Sequence, residues 1–383
     1  MPFVLELEKD TSDEDFRVQV DDWLMILEKK RRTTLLKQLF RKMDADSSGE
    51  VDLHEFKQLV ADDGQQTGGD GENAYERSFH FLDGMGNADG LLSMEEWVKG
   101  MQLVSADYDN ERFEGEIAGW HAVLTRNQRK MWRNVFAKGN AKKFLVALQA
   151  TGATHALFVR HANAAPLAAE SPPLSELSTD AEKKAHAEWK RDDVSRPLTN
   201  RGQAQCMVAR DEWFGRLPVR RVLIASPAQR ATETATHMAG KVESAANGEG
   251  ETDRPIVMVE RMHPAGQQAE CEQLFAQKGY GPLRTFLDAA GGETAFSLYA
   301  ESVCAELTTQ FRTNAGGRDK SGGTYLSLFG HAVFLNAVAY ALAVAAGAAA
   351  DGLDAMLDFD LGEAEGLLVP LFGGAPQHLR RPS

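Results

Sequence analysis

Cysteine is scarce: three residues, Cys206, Cys271 and Cys304, in a chain of 383. They are too few and too scattered for a disulfide scaffold or a zinc cluster, which points to a reducing compartment. A leader is also missing. Met1 to Asp15 is acidic and lacks the basic end and apolar core of a signal peptide, so the expected location is cytoplasmic. A basic surplus is absent. With 42 Lys and Arg against 56 Asp and Glu, the net charge of −14 excludes a general binder of nucleic acid or of anionic membranes. Long uncharged runs are absent too, except for 332–350. That run is mostly alanine, contains Asn336 and has no basic flanks, so it reads as a buried helix and not as a membrane span.

What is present is unevenly placed. Residues 1–119 hold 28 acidic against 13 basic residues, whereas 120–383 hold 28 against 29. An acidic module therefore precedes a neutral one, and at 43% hydrophobic residues the chain can fill more than one core. The boundaries expected are a first domain over 1–115, a basic helical linker over 116–150 and a second domain over 151–383. The first region reads as helices broken by polar loops, with a turn-rich connector over 61–73. From residue 154 the pattern changes. Short apolar runs at 154–160, 219–225, 256–259, 324–329 and 366–369 alternate with helical stretches, which predicts a sheet covered on both faces. Stretches 163–195 and 243–254 read as long surface loops.

Residues 44–55 are D-A-D-S-S-G-E-V-D-L-H-E. Asp44, Asp46 and Ser48 offer side-chain oxygens, Glu50 its carbonyl, Asp52 a direct or water-mediated contact, and Glu55 both carboxylate oxygens. Gly49 permits the sharp turn that aims them at one point. Four carboxylates gathered this closely need a hard cation, and the segment resembles the EF-hand family, which implies Ca2+. A second loop is irregular. Gly90, Leu92 and Glu96 fix its exit. Phe79 and Leu82 precede Asp83 at the spacings by which Phe40 and Met43 precede Asp44. Both ends agree on a loop of fourteen residues from Asp83 to Glu96, with two extra near its start. Its ligands would come from Asp83, Asn87, Asp89, the Leu91 carbonyl, Ser93 and Glu96. A degenerate loop that only braces the first is the other reading.

Four signals follow in order in the second domain. Arg160-His161-Ala162-Asn163 follows a strand. Arg196-Pro197-Leu198-Thr199-Asn200-Arg201-Gly202 precedes a helix. Ser226-Pro227-Ala228-Gln229-Arg230-Ala231 follows a strand, and so does Gly330-His331. Together they resemble the histidine phosphatase superfamily, which includes the phosphoglycerate mutases. The R-P-L-T-N-R-G stretch is closest to the phosphohistidine phosphatase branch. The resemblance implies a three-layer α/β/α domain with a mostly parallel sheet, placed here behind an all-α EF-hand domain. The residue types suit the chemistry. Arg160 and Arg230 offer planar forks to phosphoryl oxygens, and a neutral imidazole can attack phosphorus. The resemblance gives that attack to His161 and makes His331 a second donor. Asn163 is a further candidate for phosphate contact. No metal is required for this chemistry.

The leaving group needs a proton, usually from a carboxyl group. Glu260, after the strand I-V-M-V, stands where the mutase-like branch places its acid. A phosphohistidine substrate would not need one. Ala332 after His331 departs from the His-Asp pair of the phytase-like branch and disfavours it. The expected activity is a calcium-binding phosphatase acting on a phosphoprotein or a small phosphorylated metabolite, with calcium regulatory or structural. A calcium sensor or scaffold that binds phosphate without turnover, and a phosphoglycerate mutase-like activity, are the alternatives. Finally, 125–143 carries seven basic residues and no acid. Its large apolar residues at helical spacings suggest that 120–143 docks on the EF-hand pair; a plain bracing helix is the other reading.

Overall fold

The computed structural model of the chain describes residues 13–45, 48–60, 72–137, 139–167, 179–217, 221–243, 251–253, 256–263, 269–314 and 324–382. The chain forms two compact units, Met1–Lys130 and Met131–Ser383.

In the first unit, helices Asp13–Met43 and Leu53–Val60 flank one acidic loop, and Glu72–Asp83 and Met94–Val104 flank the other. Strands β1 (Glu50–Val51) and β2 (Leu92–Ser93) join the loops as an antiparallel pair, with Val51 opposite Leu92. Both of these side chains are fully buried, and Phe40, Met43, Phe79, Leu82 and Trp97 pack around them. The spacing that puts Phe40 and Phe79 in register with their loops is the helical period that carries an apolar face into the core. Ser93 caps the last of these helices in a reciprocal box with Glu96.

The second unit is built on a six-stranded sheet. Its strands are β3 (Ala153–Arg160), β4 (Arg221–Ala225), β7 (Ile256–Met258), β8 (Thr324–Gly330), β9 (Gly366–Pro370) and β10 (Gln377–Leu379). A separate hairpin pairs β5 (Lys241–Glu243) with β6 (Glu251–Asp253). The sheet order is β10-β9-β3-β8-β4-β7; β3, β8, β4 and β7 run parallel, and β9 and β10 are added antiparallel. Alternate residues face two different cores. Ala156, Phe158, Ile224, Leu326 and Leu328 point into one, and Leu157, Val159, Leu223, Ala225 and Phe329 into the other. The sheet is thus covered on both faces, which is why its strands read as continuous apolar runs. The uncharged run becomes helix Ala332–Ala345, buried through Ala343. Among the described residues no helix is long and apolar enough to cross a membrane.

One expectation is corrected. The stretch 163–195 is not one loop: Asp180–Val194 is a helix, started by a box between Thr179 and Glu182. The Thr-x-x-Glu pattern was there to be read, but a strongly polar composition masked it. Residues 168–178 lie outside the described residues, as does the connector 61–71 and most of the expected loop 243–254. The basic segment is also divided. Trp120 and Leu124 belong to the core of the first unit, whereas Trp132, Phe136 and Phe144 are buried in the core of the second. The large apolar residues of the segment 120–143 are thus shared between two cores instead of forming one face.

Candidate active site

Parallel strands end together, so residues just past their carboxyl ends meet in one crevice. Arg160 closes β3, and His161 follows with its N–H on the Gly330 carbonyl at 2.9 Å. Past β8 comes His331, and past β4 comes Ser226, bound through its N–H to the Phe329 carbonyl at 2.9 Å. The His161 and His331 ring centres are 5.2 Å apart. Among His161's ring atoms, Nδ1 lies 2.8 Å from the Ala162 carbonyl oxygen. A carbonyl only accepts, so Nδ1 carries the hydrogen and Nε2 keeps its lone pair. Burial, then the charges of Arg230, Arg160 and Arg196, push the His161 pKa down to about 3. His161 is therefore a neutral imidazole with an unshared pair at ordinary pH.

Arg230 is held from several sides. Its Nη1 donates to the Asp193 carbonyl and its Nη2 to Asp193 Oδ2 at 3.0 Å. Nη2 also meets His331 Nδ1 at 3.4 Å. Since guanidinium only donates, His331 Nδ1 accepts and its Nε2–H donates to Ser226 Oγ at 3.0 Å. Burial, then Arg230 and the neighbouring rings His161 and His263, hold His331 well below the usual histidine range. Asp193 carries three partners: Arg230, Arg196 at 3.0 Å, and His263 Nε2 at 3.0 Å. Burial alone would raise its carboxyl; the His263 hydrogen bond and the two arginines outweigh this and hold it well below the usual carboxylate range. Arg160 donates to the Leu361 carbonyl at 2.6 Å. After all these contacts, the Nε–H groups of Arg160, Arg196 and Arg230 are each buried with no acceptor. A buried donor left unpaired costs about 1–3 kcal/mol. Three such donors sit on guanidinium groups whose charges all act on one neutral imidazole, a cage suited to an anion with several oxygens.

The second motif is tied to the first by close backbone approach. Thr199 caps the helix Asn200–Ala209 through the Gly202 N–H, and its hydroxyl donates to Asn163 Oδ1 at 2.7 Å. A Cβ on Gly202 would stand 2.1 Å from the Asn163 carbonyl oxygen, so only glycine fits. Glu233 accepts from the Leu198 N–H at 2.6 Å, and Thr234 accepts from the Ala162 N–H at 3.0 Å. The third motif thus braces the other two.

Arg160, His161, Arg230 and His331 are brought together; two further candidates are placed differently. Asn163 spends its amide on Glu363 at 2.8 Å and on Thr199, so its side chain braces the loop. Glu260 is exposed on the turn after β7, with its N–H on Glu306 at 3.1 Å. Among the described residues its carboxylate makes no hydrogen bond or ion pair with the two arginines or the two histidines. Sequence reasoning missed Asp193, Arg196 as a site residue, Ser226 and His263. Arg196 and Ser226 lay inside quoted motifs. Asp193 and His263 sit 70 residues apart and carry no local signal.

The two loops of the first unit repeat one pattern. In the first, Asp44 Oδ2 accepts from the Gly49 N–H at 3.1 Å, and Glu55 accepts from the N–H groups of Ala45 and Asp52. In the second, Asp83 Oδ2 accepts from the Gly90 N–H at 3.1 Å, and Glu96 from those of Asn87 and Ser93. Gly49 and Gly90 both lie near φ +90°, which suits glycine. Ser48 donates to the Glu50 carbonyl, Asp52 accepts from the Glu55 N–H, and Asn87 donates to Asp89, which accepts from the Leu91 N–H. Asp44 Oδ1 and Asp83 Oδ1 are both buried without a hydrogen-bond partner. No three acidic, histidine or cysteine side chains among the described residues stand close enough to hold a metal ion as they are. Asp46 lies outside the described residues. Even so, hard oxygens with one buried acceptor left over at the head of each loop fit a calcium ion.

The EF hand family matches residues 36–60. No match was found among curated proteins. Solved structures match part of the chain. One is described as a phosphohistidine phosphatase, SixA, from Agrobacterium tumefaciens, at 17% identity, covering 57% of this chain and 92% of that one, with a TM-score of 0.29. Another is a phosphoserine phosphatase from Entamoeba histolytica in complex with 3-phosphoglyceric acid, at 13% identity, 60% and 97% coverage, and 0.31. A third is a mycobacterial glucosyl-3-phosphoglycerate phosphatase, at 13%, 60% and 100%, and 0.29. At these values the chemistry of the site rests on its own side chains.

Proposed function

We propose that the second unit is a histidine phosphatase that takes a phosphoryl group onto His161 Nε2 and passes it to water. The carrying observation is the neutral His161, with Nε2 unprotonated, whose neighbouring charges Arg160, Arg196 and Arg230 each keep one buried Nε–H without an acceptor. In the first step a P–O or P–N bond of the substrate breaks as the bond to Nε2 forms. In the second, water attacks phosphorus, the P–N bond to His161 breaks, and inorganic phosphate leaves with the imidazole neutral again. Arg160, Arg230 and Arg196 hold the equatorial oxygens, where charge redistributes in the transition state. His331 accepts from Arg230 and donates to Ser226, and so positions that guanidinium. The substrate is a phosphoprotein or a small phosphorylated metabolite. Assay of the full chain and of His161→Ala against a panel of phosphosubstrates tests the reading. Turnover lost in the variant supports it, and equal hydrolysis by both proteins overturns it.

Glu260 is assigned the proton for the leaving group from its place just past β7, which runs parallel to β4; Asp193 is held ionised by its partners. Glu260→Gln is expected to slow an alkyl phosphate about 100-fold, the usual scale of a general acid, and to leave a phosphoramidate within about twofold. Equal effects on both substrates would remove Glu260 from this role.

Calcium is assigned to both loops of the first unit, with Asp44, Asp46, Ser48, Glu50, Asp52 and Glu55 as ligands in the first. The second would use Asp83, Asn87, Asp89, the Leu91 carbonyl, Ser93 and Glu96. The repeated hydrogen-bond pattern supports the second loop despite its extra length. Calorimetric titration of the full chain is expected to give two equivalents of calcium, with Glu55→Gln and Glu96→Gln each removing one. A single equivalent lost with Glu55→Gln would leave the second loop as a brace. The role of calcium is regulatory or structural, since the phosphate cage carries its own positive charge.

A further inference from the structure

Tyr280 stands at the rim of the phosphate cage on a tight turn. Gly279 before it has φ +72°, and Gly281 and Pro282 follow. Its ring lies with the Arg160 Cζ 4.7 Å from the ring centre. The Arg160 fork is already fixed by the Leu361 carbonyl, so the ring sets one wall beside a guanidinium that does not need it for a hydrogen bond. Phe275 meets Tyr280 edge-on at 5.2 Å and itself packs against the main core. The ring is therefore anchored on one side, yet Tyr280 remains 65% exposed. A large aromatic held in water against a cation of the site offers flat apolar surface where the group carrying the phosphoryl must pass.

We infer that Tyr280 is a specificity-determining residue whose exposed ring favours phosphoryl groups on planar carriers, aryl or imidazole, over those on aliphatic alcohols. The inference rests on the phosphatase reading of the cage. The phosphoryl oxygens face the inner donors of Arg160, Arg196 and Arg230, so the carrier lies outward, alongside the ring. A planar carrier packs against the ring with the energy of one aromatic pair, about 3- to 10-fold in affinity. An alkyl carrier gains little there. The hydroxyl has no part in this contact.

Phenylphosphonate and methylphosphonate separate this from the phosphatase reading, because binding of either needs no turnover. Calorimetry on the full chain is expected to show Tyr280→Ala weakening phenylphosphonate about 3- to 10-fold while leaving methylphosphonate unchanged. Tyr280→Phe should bind both as the unaltered chain does. In kinetics Tyr280→Ala should raise KM for an aryl phosphate and leave kcat, with phosphoserine unaffected. Equal weakening of both phosphonates would show that the ring only positions Arg160, and would overturn the inference. Selective binding without hydrolysis of any phosphosubstrate would overturn the phosphatase reading and leave the role of the ring standing. Failure of both phosphonates to bind would overturn both.

Discussion

His161→Ala is expected to lower kcat for phosphoryl transfer by at least about 1,000-fold, the scale on which removal of a nucleophile acting in concert with fixed donors is felt. The fold should survive, since the side chain is buried at the mouth of the crevice and its one hydrogen bond is to a neighbouring carbonyl. Vanadate or phosphate should still bind, because the three guanidinium groups remain. The pH profile carries a second part of this result. With its pKa pushed down to about 3 by burial and by Arg230, Arg160 and Arg196, His161 is unprotonated throughout the range from pH 5 to 8. After correction for the substrate's own ionisation near about 6, kcat/KM should show no acid limb from the nucleophile in that range. An acid limb at the ordinary histidine value of 6.5 would mean that the imidazole stands in water and not in the cage. Binding of the substrate dianion will draw the pKa upward, so the profile of the free enzyme is the one that tests the point.

Asp193→Ala is expected to destabilise the second unit by about 3–5 kcal/mol, because it strands two guanidinium charges and an imidazole hydrogen bond around one buried position. The Asp193 side chain is only 8% exposed, so solvent does not make up the loss. Activity should fall as well, by about 100-fold, since Arg230 loses the partner that aims its fork and a displacement of about 1 Å is enough for that. Urea unfolding gives the first quantity and kcat the second. Asp193→Asn keeps the size and one acceptor, and should recover part of the stability while leaving Arg196 and Arg230 mutually repelled. A full recovery of both quantities in Asp193→Asn would show that shape and not charge is what Asp193 supplies. The pH dependence has a definite sign. The folded carboxyl is held below its ordinary value of 3.8, so its contribution is complete above that value. It is lost as pH falls below about 4, where the unfolded chain takes up a proton that the folded one refuses.

Five of the sheet strands were legible because a strand buried on both faces needs an unbroken apolar run, and each run is local. The helix Ala332–Ala345 was legible for the same reason. Strand β10 was not, because Gln377, His378 and Leu379 form an edge strand with no apolar run; only pairing with β9 makes them a strand. The helix Asp180–Val194 was hidden by its polarity. Its final turn matters most for the site, because it delivers Asp193 to Arg230 from 37 residues away. In the first unit the loop lengths were readable from Phe40, Met43, Phe79 and Leu82, since helical spacing ties each core residue to a ligand position.

Residue types and their order thus determined on their own that hard oxygens, guanidinium groups and imidazoles were available, and that strand ends would present them. Such signals lie within a few residues of one another, where backbone geometry fixes what each neighbour does. Only the tertiary structure decided which donors remain unpaired, which tautomer His161 holds, that Asn163 turns to Glu363, and that Asp193, His263 and Tyr280 come to lie against Arg230, His331 and Arg160. Those outcomes depend on burial and on partners far along the chain, and a charge or a hydrogen bond has no value until the groups facing it, and the water excluded from it, are set by packing.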